Sequence, residues 1–368
     1  MNGASVVGQQ LTASNLMNNN NSTNASYPTG IYVLPGYSWI ASLSQSVWYD
    51  WGRVIMSAIY SAPGGYTRVT PRLDGNGQVV LDYQYTHRDD YKIGSSYIAK
   101  DHIYGNIRCK VISWPSVNAP PENRYGIQLS GINNLFAIPD QSKISHLVFK
   151  GDITIWNGWT PGVIDSRLTM DNCVCFFYTQ DLDLAIGIRF NGSSYSVWGK
   201  SGSSYGVALS SAYVRVCIFA NIPPGDPERY GISIRNNGNL IWNSTQDPLI
   251  RPAIVDMSGG LYISGSQFFR PGIATPFRRP MFCPACIGGG VGTWTYYNGS
   301  QPDASRVKAT VSSYVSSDGM NLYHGFGGRE ADMFGDYSSG FPAWNYPEVL
   351  TSQLPVLVID GENHFSSW

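Results

Sequence analysis

The chain has 368 residues, of which 13% are charged and 13% are aromatic, and its formal net charge is −1. Charged residues are about half as frequent as in an ordinary soluble domain. A nearly neutral chain without a basic stripe argues against attraction to nucleic acid or to anionic lipid, so we expect neither as a partner. The length is that of two or three domains.

The compartment is indicated by the N-terminus and the cysteines. Residues 1–30 have neither a basic n-region nor an apolar h-region, so we expect no signal peptide here, and we expect no membrane span because no apolar run is long enough. The cysteines are too scattered for a disulfide framework, which favours folding in a reducing cytosol. The richness in Tyr, Ser, Asn and Gly is instead typical of extracellular, adhesive β-proteins. Virion parts of bacteriophages, assembled in the host cytoplasm and displayed after lysis, reconcile the two observations.

The first elements in chain order are an arm and a hairpin. Residues 1–28 are rich in Asn and Ser, and we predict a flexible N-terminal arm that orders when it docks on a neighbour. Thr67–Leu73 and Val79–Tyr85 flank an Asp-Gly-Asn-Gly turn, which predicts a hairpin with one solvent-exposed face. Gly52–Tyr60 is too short for its periodicity to distinguish a strand from a helix.

The middle of the chain predicts one buried strand and two hairpins. Cys173–Tyr178 is a continuous apolar run, typical of a strand that is covered on both faces. Asn191-Gly192 joins two β-type runs, and so does the turn Asn236–Asn239 between Tyr230–Ile234 and Leu240–Asn243. An Asn-Gly turn between two such runs is the strongest short-range signal for a hairpin.

Several segments recur at one spacing. PENRYGIQLSGINNL, at residues 121–135, resembles PERYGISIRNNGNL, at residues 227–240, and Ile107–Val111 matches Val214–Ile218 upstream of them. The two YG pairs, Tyr125 and Tyr230, lie 105 residues apart. A third copy is indicated where Trp-Asn stands before Leu357–Asp360, as it does before Ala253–Asp256, at a spacing of 104. We predict a unit of about a hundred residues, used two or three times.

The last third of the chain predicts a hairpin and a long loop. Thr293–Tyr297 and Arg306–Tyr314 flank an Asn-Gly turn. Tyr323–Phe341 is rich in Gly, Asp and aromatic residues and has no strand period, so we predict a loop that carries recognition. Its candidate ligand-binding residues are Tyr323, Phe326, Arg329, Glu330, Asp332, Phe334 and Tyr337. Packing of this loop on a neighbouring subunit is the open alternative, because Tyr and Trp are also enriched in such interfaces.

The predicted fold class is all-β, with two or three antiparallel β-sandwich-like units behind the flexible arm. No segment has a convincing helical period of twelve or more residues. The predicted organisation is an arm at 1–28, β unit 1 at 29–150, β unit 2 at 151–258 and β unit 3 with long loops at 259–368.

Motifs for chemistry are sparse. Cys283 and Cys286 form one CxxC without a second pair, and we interpret it as a turn with small buried thiols. Cys173 and Cys175 face the same side of a strand, so completion of a metal site across space is the alternative. Paired carboxylates for glycoside hydrolysis arise by chance in a chain of this size, and there is neither a nucleophile elbow nor a Walker loop. We therefore predict no enzyme, no cofactor and no bound metal.

Two segments support a family resemblance. YGISIRNNGNLIWNS and LPVLVIDG resemble a phrase in small virion-associated tail and tail-fibre structural proteins of tailed bacteriophages, in which a "YG-apolar" strand, an Asn/Asp-Gly turn and an "apolar-Asn/Asp-Ser" strand recur. The first copy of the repeat departs from this sequence pattern, because Ser130–Asn134 stands where the pattern has an Asn/Asp-Gly turn. The resemblance implies a structural role in the tail and transfers no catalytic residue.

The predicted function is that of a virion structural protein of the tail tip or tail fibre, with host-receptor binding as the further role. The expected partners are other virion proteins, copies of the same chain in a homo-oligomer, and a host cell-surface glycan or outer-membrane protein. Two alternatives stay open: a polysaccharide depolymerase on the tail apparatus and a capsid decoration protein. The depolymerase would carry clustered carboxylates in a cleft.

Overall fold

The structure is a computed structural model. It describes residues 5–11, 24–51, 63–87, 107–115, 126–131, 134–139, 145–189, 191–201, 204–223, 233–236, 239–243, 245, 247–249, 252–264, 267–296, 305–329, 346–351 and 354–368. Within these residues the chain forms strands and two short 3-10 turns, Pro161–Val163 and Gly361–Asn363, and no α-helix. Every described strand pair is antiparallel. The predicted all-β fold class is confirmed.

The strands define three units, at 5–139, 146–243 and 253–360, and these bounds replace the predicted ones below. Unit 1 is a sandwich of two sheets followed by a hairpin. Sheet A has the strand order β1-β7-β3, sheet B has the order β2-β6-β5-β4, and β8 pairs with β9 and with no other described strand. The bounds are β1 Ser5–Leu11, β2 Asn24–Tyr32, β3 Tyr37–Leu43, β4 Val47–Trp51, β5 Pro63–Leu73, β6 Gln78–His87, β7 Ile107–Pro115, β8 Gly126–Gly131 and β9 Asn134–Pro139.

Unit 2 contributes three strands to each of two larger sheets. In sheet C its order is β10-β15-β11, in sheet D its order is β14-β13-β12, and β16 pairs, among the strands that the structure describes, with β17. The bounds are β10 His146–Ile155, β11 Cys173–Tyr178, β12 Ala185–Ile188, β13 Tyr195–Ser201, β14 Ser204–Ala208, β15 Ala212–Ala220, β16 Ser233–Asn236 and β17 Asn239–Asn243.

Unit 3 completes the same two sheets. It extends sheet C with β22-β27-β18 and sheet D with β24-β23-β26, while β25 pairs with β24 and with β21, and β19 pairs with β20. The bounds are β18 Ala253–Val255, β19 Tyr262–Ser264, β20 Gln267–Phe269, β21 Ile273–Ala274, β22 Pro280–Phe282, β23 Gly288–Tyr296, β24 Ser305–Ser317, β25 Asn321–Arg329, β26 Tyr346–Thr351 and β27 Val356–Asp360.

The three units share one strand topology. In each, two early strands flank a strand that returns later: β7 lies between β1 and β3, β15 between β10 and β11, and β27 between β18 and β22. After the second of these early strands (β3, β11 or β22), the chain crosses to the facing sheet of the unit. There it forms a three-stranded antiparallel meander before the returning strand begins: β4-β5-β6, β12-β13-β14 and β23-β24-β25. Three copies of one sandwich plan therefore account for most of the described strands.

The topology agrees with the predicted 105-residue repeat for the first two copies. Strands β7 and β15 begin at Ile107 and Ala212, which lie 105 residues apart, and each precedes a hairpin that pairs with no other described strand. The predicted third match is wrong. Strands β18 and β27 pair directly with each other, Ala253 opposite Val358, so they are neighbours within one unit. The counterpart of β15 in unit 3 is β27.

Three of the hydrophobic cores in the described part of the chain lie between successive sheets, in the order B, A, C and D. Alternate residues of β7 point to opposite faces of sheet A: Cys109 packs towards sheet B, and Ile112 packs towards sheet C. Strand β11 does the same in sheet C, where Phe176 faces sheet A and Phe177 faces sheet D. All six residues of β11 are buried, which confirms the prediction of a strand covered on both faces.

Units 2 and 3 are joined through both of their sheets. In sheet C, Phe177 of β11 pairs with Phe282 of β22, and in sheet D, Ile186 of β12 pairs with Val315 of β24. A single core lies between the two sheets and takes side chains from both units. The predicted boundary at 258/259 therefore separates neither sheets nor cores, and the boundary at 150/151 falls inside β10.

Part of the predicted flexible arm is regular structure. Ser5–Leu11 forms β1 and pairs along its whole length with β7, and β2 already begins at Asn24. The remaining residues of the arm lie outside the described residues, and so does Gly52–Tyr60. The composition of the arm gave no strand signal because its backbone hydrogen bonds come from β7, which lies about a hundred residues later.

The short-range predictions are confirmed where the structure describes them. Leu73 pairs with Val79, Ile188 pairs with Tyr195, and Asn236 pairs with Asn239 across their turns. Strands β23 and β24 also pair as predicted, and their Asn-Gly turn lies outside the described residues. Within the described part of the chain, no helix has the length and apolar composition needed to cross a lipid bilayer.

Candidate functional site

The predicted recognition loop is in part a strand. Tyr323, Phe326 and Arg329 lie in β25, which pairs with β24, so the loop prediction is wrong from Tyr323 to Arg329. The other four candidates, Glu330, Asp332, Phe334 and Tyr337, lie outside the described residues.

The glycines of β25 explain this error, because they make room for a neighbouring strand. A Cβ atom added to Gly327 would overlap the ring of Tyr314, and one added to Gly325 would overlap Ala185. Phe326 is buried beside them, and the Tyr323 hydroxyl donates to Asp318 Oδ2 at 2.8 Å. The described aromatic residues of the predicted loop therefore belong to the scaffold.

The CxxC motif lies in the core. Cys283 and Cys286 are buried free thiols, and Cys286 Sγ lies 3.4 Å from both Ser46 Oγ and the Gly288 carbonyl oxygen. Cys173 and Cys175 do face one side of β11, as predicted, but Cys283 belongs to the core on the opposite side of sheet C. Among the residues that the structure describes, no group of three or more His, Cys, Asp or Glu side chains is arranged to hold a metal ion.

A buried lysine lies beside these thiols, where units 1 and 2 meet. Lys110 is almost fully buried, and its Nζ donates to the Cys173 carbonyl oxygen at 2.8 Å. A hydrogen bond between the thiols of Cys173 and Cys175, with Lys110 nearby, lowers the pKa of Cys173, while burial raises the pKa of Cys175 well above its ordinary value. Lys110, Cys173 and Cys175 are therefore buried polar groups at the contact between units 1 and 2.

Burial predicts that the native protein is inert to thiol reagents. All six cysteines are buried, and burial raises the pKa of Cys109 and of Cys217 to about 12 and that of Cys283 to about 11. Since the thiolate is the reactive form, we expect no labelling by Ellman's reagent in buffer and full labelling in denaturant. The exposed variant Ser166→Cys is the positive control. Rapid native labelling of the unmodified chain would contradict this burial.

His324 is a second buried polar group, in unit 3. Its Nε2 donates to the Met257 carbonyl oxygen at 3.0 Å, so its Nδ1 accepts from Ser313 Oγ at 2.7 Å. Burial is the main cause that lowers the pKa of His324 to about 4 from an ordinary value of 6.5. The neutral ring therefore fastens β24 and β25 to the segment after β18.

The protein should lose stability in mild acid because of this histidine. Between pH 6.5 and pH 4 the unfolded chain binds a proton at His324 that the folded chain does not. The contribution of His324 to the free energy of unfolding is fully present above the pKa of the unfolded chain. It falls as pH decreases, by about 3 kcal/mol in total. Denaturant unfolding of the unmodified protein and of His324→Gln at both ends of this window measures it. The variant should be less stable at neutral pH and lose less in acid, whereas an equal loss in both proteins would assign the effect elsewhere.

One exposed surface combines aromatic rings with arginines, and we name it the Trp368 surface, after its central ring. It comprises Tyr178, Tyr213, Arg215, Arg279, Phe365 and Trp368. It continues the face of sheet C that sheet A covers elsewhere, since Arg215 lies two residues before the buried Cys217 on β15. Tyr213 is 70% exposed and Trp368 is 39% exposed.

The rings and cations of this surface fix one another. The Arg215 guanidinium carbon lies 4.6 Å from the centre of the Phe365 ring and 4.9 Å from that of Trp368. Trp368 packs edge-on against Tyr178, with 4.7 Å between the ring centres. Arg215 also binds Asp152 through two hydrogen bonds, of 2.6 Å and 2.9 Å, and this pairing lowers the pKa of Asp152.

Arg279 differs from Arg215 in having no acidic partner among the residues that the structure describes. Its guanidinium donates one hydrogen bond, to the Tyr178 hydroxyl at 2.8 Å, and lies 5.6 Å from the centre of the Trp368 ring. It is half-buried, and no described carboxylate forms an ion pair with it. The surface therefore offers an un-neutralised fork of N–H donors beside an exposed indole.

Sequence reasoning missed this surface. Arg278-Arg279-Pro280 is visible as a basic pair, and Tyr213 and Arg215 alternate along a strand, but nothing local joins them. Their proximity depends on the ladder from β15 through β11 to β22, which connects residues more than sixty positions apart. Trp368 reaches the surface because the chain after β27 turns back over sheet C, where Arg215 donates to the Ser367 carbonyl oxygen at 2.6 Å.

Fold and surface together define a class of protein: an all-β scaffold of fused sandwich units with an aromatic and cationic patch. The chain belongs to a family of unknown function, DUF6453, whose model matches residues 75–317. That span begins in the turn before β6 and ends with β24. No curated protein matches the chain, and no solved structure matches it.

Proposed function

We propose that this chain is a structural protein of a bacteriophage tail, in the tail tip or the tail fibre, and that it contributes to adsorption on the host. The observation that carries the proposal is the fusion of three sandwich units into one four-layer body. A body whose sheets are shared and packed on both faces transmits load and resists local opening, which a tail component needs. The resemblance of YGISIRNNGNLIWNS and LPVLVIDG to tail proteins supports the same role.

The two resembling segments occupy different positions in this body. LPVLVIDG contains β27, the returning strand of unit 3, which is buried in sheet C. YGISIRNNGNLIWNS contains the hairpin β16–β17, which pairs with none of the described strands of the large sheets. The hairpin β8–β9 of unit 1 likewise pairs with no other described strand. Two such hairpins are suited to contact neighbouring virion proteins or further copies of this chain.

The depolymerase alternative receives less support from the described carboxyl groups. Burial by itself would raise the pKa of Asp82 and Asp318, but hydrogen bonds from Arg72 and Ser26, and from the residues around Asp318, outweigh it and lower both. Hydrogen bonds from arginines also lower the pKa of Asp152 and Asp165. A glycosidase needs one carboxyl group with a raised pKa, which donates a proton to the leaving oxygen. These four groups stay ionised and hold turns and strands in place.

Purified virions test the proposal. Quantitative mass spectrometry should find the chain in a fixed copy number per particle, in the tail fraction after heads and tails are separated. Free protein added before infection should reduce adsorption, with bovine serum albumin as the control. Recovery only with heads would favour capsid decoration. Absence from washed particles would refute the structural role, and a clearing halo on host polysaccharide would favour the depolymerase.

A further inference from the structure

We propose that the Trp368 surface binds an acidic saccharide, with the sugar carboxylate on the Arg279 guanidinium and the sugar ring against an exposed aromatic face. This inference deepens the proposed role in adsorption, and it rests on that role for its biological setting. The site itself is defined by the chain alone and is testable on the isolated protein.

The case for an anion begins with the difference between the two arginines. Arg215 and Asp152 neutralise each other in a two-pronged pair, and the side chain of Arg215 is only 19% exposed. Among the described residues, Arg279 donates a single side-chain hydrogen bond, to an uncharged phenol, so most of its N–H groups remain for a ligand. A guanidinium presents parallel donors whose spacing matches the two oxygens of a carboxylate.

The case for a sugar comes from the rings around that cation. Trp368 lies beside Arg279 and retains an exposed part, and Tyr213 projects from β15 on the same face of the sheet as Arg215. Flat aromatic surfaces that stay exposed next to hydrogen-bonding groups are suited to the apolar face of a pyranose ring, because they bury its C–H groups and leave its hydroxyls free. A small inorganic anion would use Arg279 without these rings.

The surface is also held in shape before any ligand arrives. Trp368 is fixed by Tyr178, Phe365 and Arg215, and a Cβ atom added to Gly361 would overlap the indole. Tyr178 accepts hydrogen bonds from both Gln180 and Arg279, which sets the position of the guanidinium. Little side-chain entropy remains to be lost on binding, which favours affinity.

Calorimetric titration of the full chain with tetragalacturonate, and with neutral maltotetraose as the matched probe, tests the inference. The acidic probe should bind more tightly, and its affinity should fall with salt. Arg279→Gln should weaken it by about tenfold or more, because a charge-assisted bond is lost. Arg278→Gln, the neighbouring position whose side chain is 77% exposed, is the control and should leave affinity unchanged.

Tyr213→Ala keeps the test decisive if Arg279→Gln fails to fold, because Tyr213 is largely exposed and its replacement should weaken binding without changing the melting temperature. Failure of the acidic probe to bind, equal binding of the neutral probe, or equal losses in the Arg278 and Arg279 variants would overturn the inference. These outcomes are separate from the virion measurement. If the chain is present in tails but does not bind tetragalacturonate, only the saccharide site is refuted. If it binds tetragalacturonate but is absent from virions, only the tail role is refuted.

Discussion

Replacing Phe177 by alanine is expected to lower the free energy of unfolding by about 3–5 kcal/mol, the usual result of truncating a buried aromatic side chain. Phe177 is fully buried in the core that units 2 and 3 share. Its ring lies 5.9 Å from that of Trp159 and 5.3 Å from that of Tyr195. It also pairs with Phe282 at the junction of β11 and β22.

The position of Phe177 makes the variant informative about cooperativity. Because one core serves both units, the loss should appear as a single transition at lower denaturant concentration in fluorescence and in circular dichroism. Phe269→Ala is the matched control, since Phe269 is 37% exposed on the hairpin β19–β20. Its replacement should change stability much less. Two separate transitions, only one of them shifted, would show that units 2 and 3 fold independently.

Replacing Gly206 by alanine adds only one methyl group, but we expect it to lower the stability of sheet D by more than so small a change suggests. Gly206 has a φ of +70° and lies in β14 where the register with β13 shifts, so it is the extra residue of a bulge. An L-residue in this left-handed region costs about 1–2 kcal/mol. The added Cβ atom would also overlap the carbonyl oxygen of Gly327, a backbone atom that cannot rotate away.

Gly30→Ala separates the two parts of this expected loss. Gly30 has a similar φ of +76°, but an added Cβ atom there meets nothing within 4 Å. It should lose only the dihedral contribution, and Gly206→Ala should lose that plus the contribution of the clash. Thermal unfolding of both variants measures the difference. Equal losses would mean that β14 and β25 move apart freely and do not form a packed contact.

The local elements of this fold could be predicted because their signals are local. Asn-Gly turns between alternating runs gave the hairpins of β5–β6, β12–β13 and β16–β17, and an unbroken apolar run gave β11. The repeat spacing pointed to units, because β7 and β15 carry similar residues at one offset. These patterns depend on residues that are close together in the sequence, or on the repetition of a whole segment.

The rest could not be predicted because it depends on pairings over long separations. Gly325 and Gly327 are residue types typical of a loop. In the structure these two strand positions require glycine, because Ala185 and Tyr314 pack against them. Lys110 alternates with apolar residues on β7 and would be expected to reach solvent, but sheet C covers it. The Trp368 surface exists only after three strands and the segment that follows β27 have been assembled.

Cryo-electron microscopy of the intact phage, with the chain located in the density, tests the tail assignment most directly. The expected result is three fused sandwich units per copy, located in the tail tip or in the fibre apparatus. The hairpins β8–β9 and β16–β17 should contact neighbouring proteins or further copies, and the Trp368 surface should face outwards. Density for this chain on the capsid alone, or in no part of the particle, would contradict the assignment.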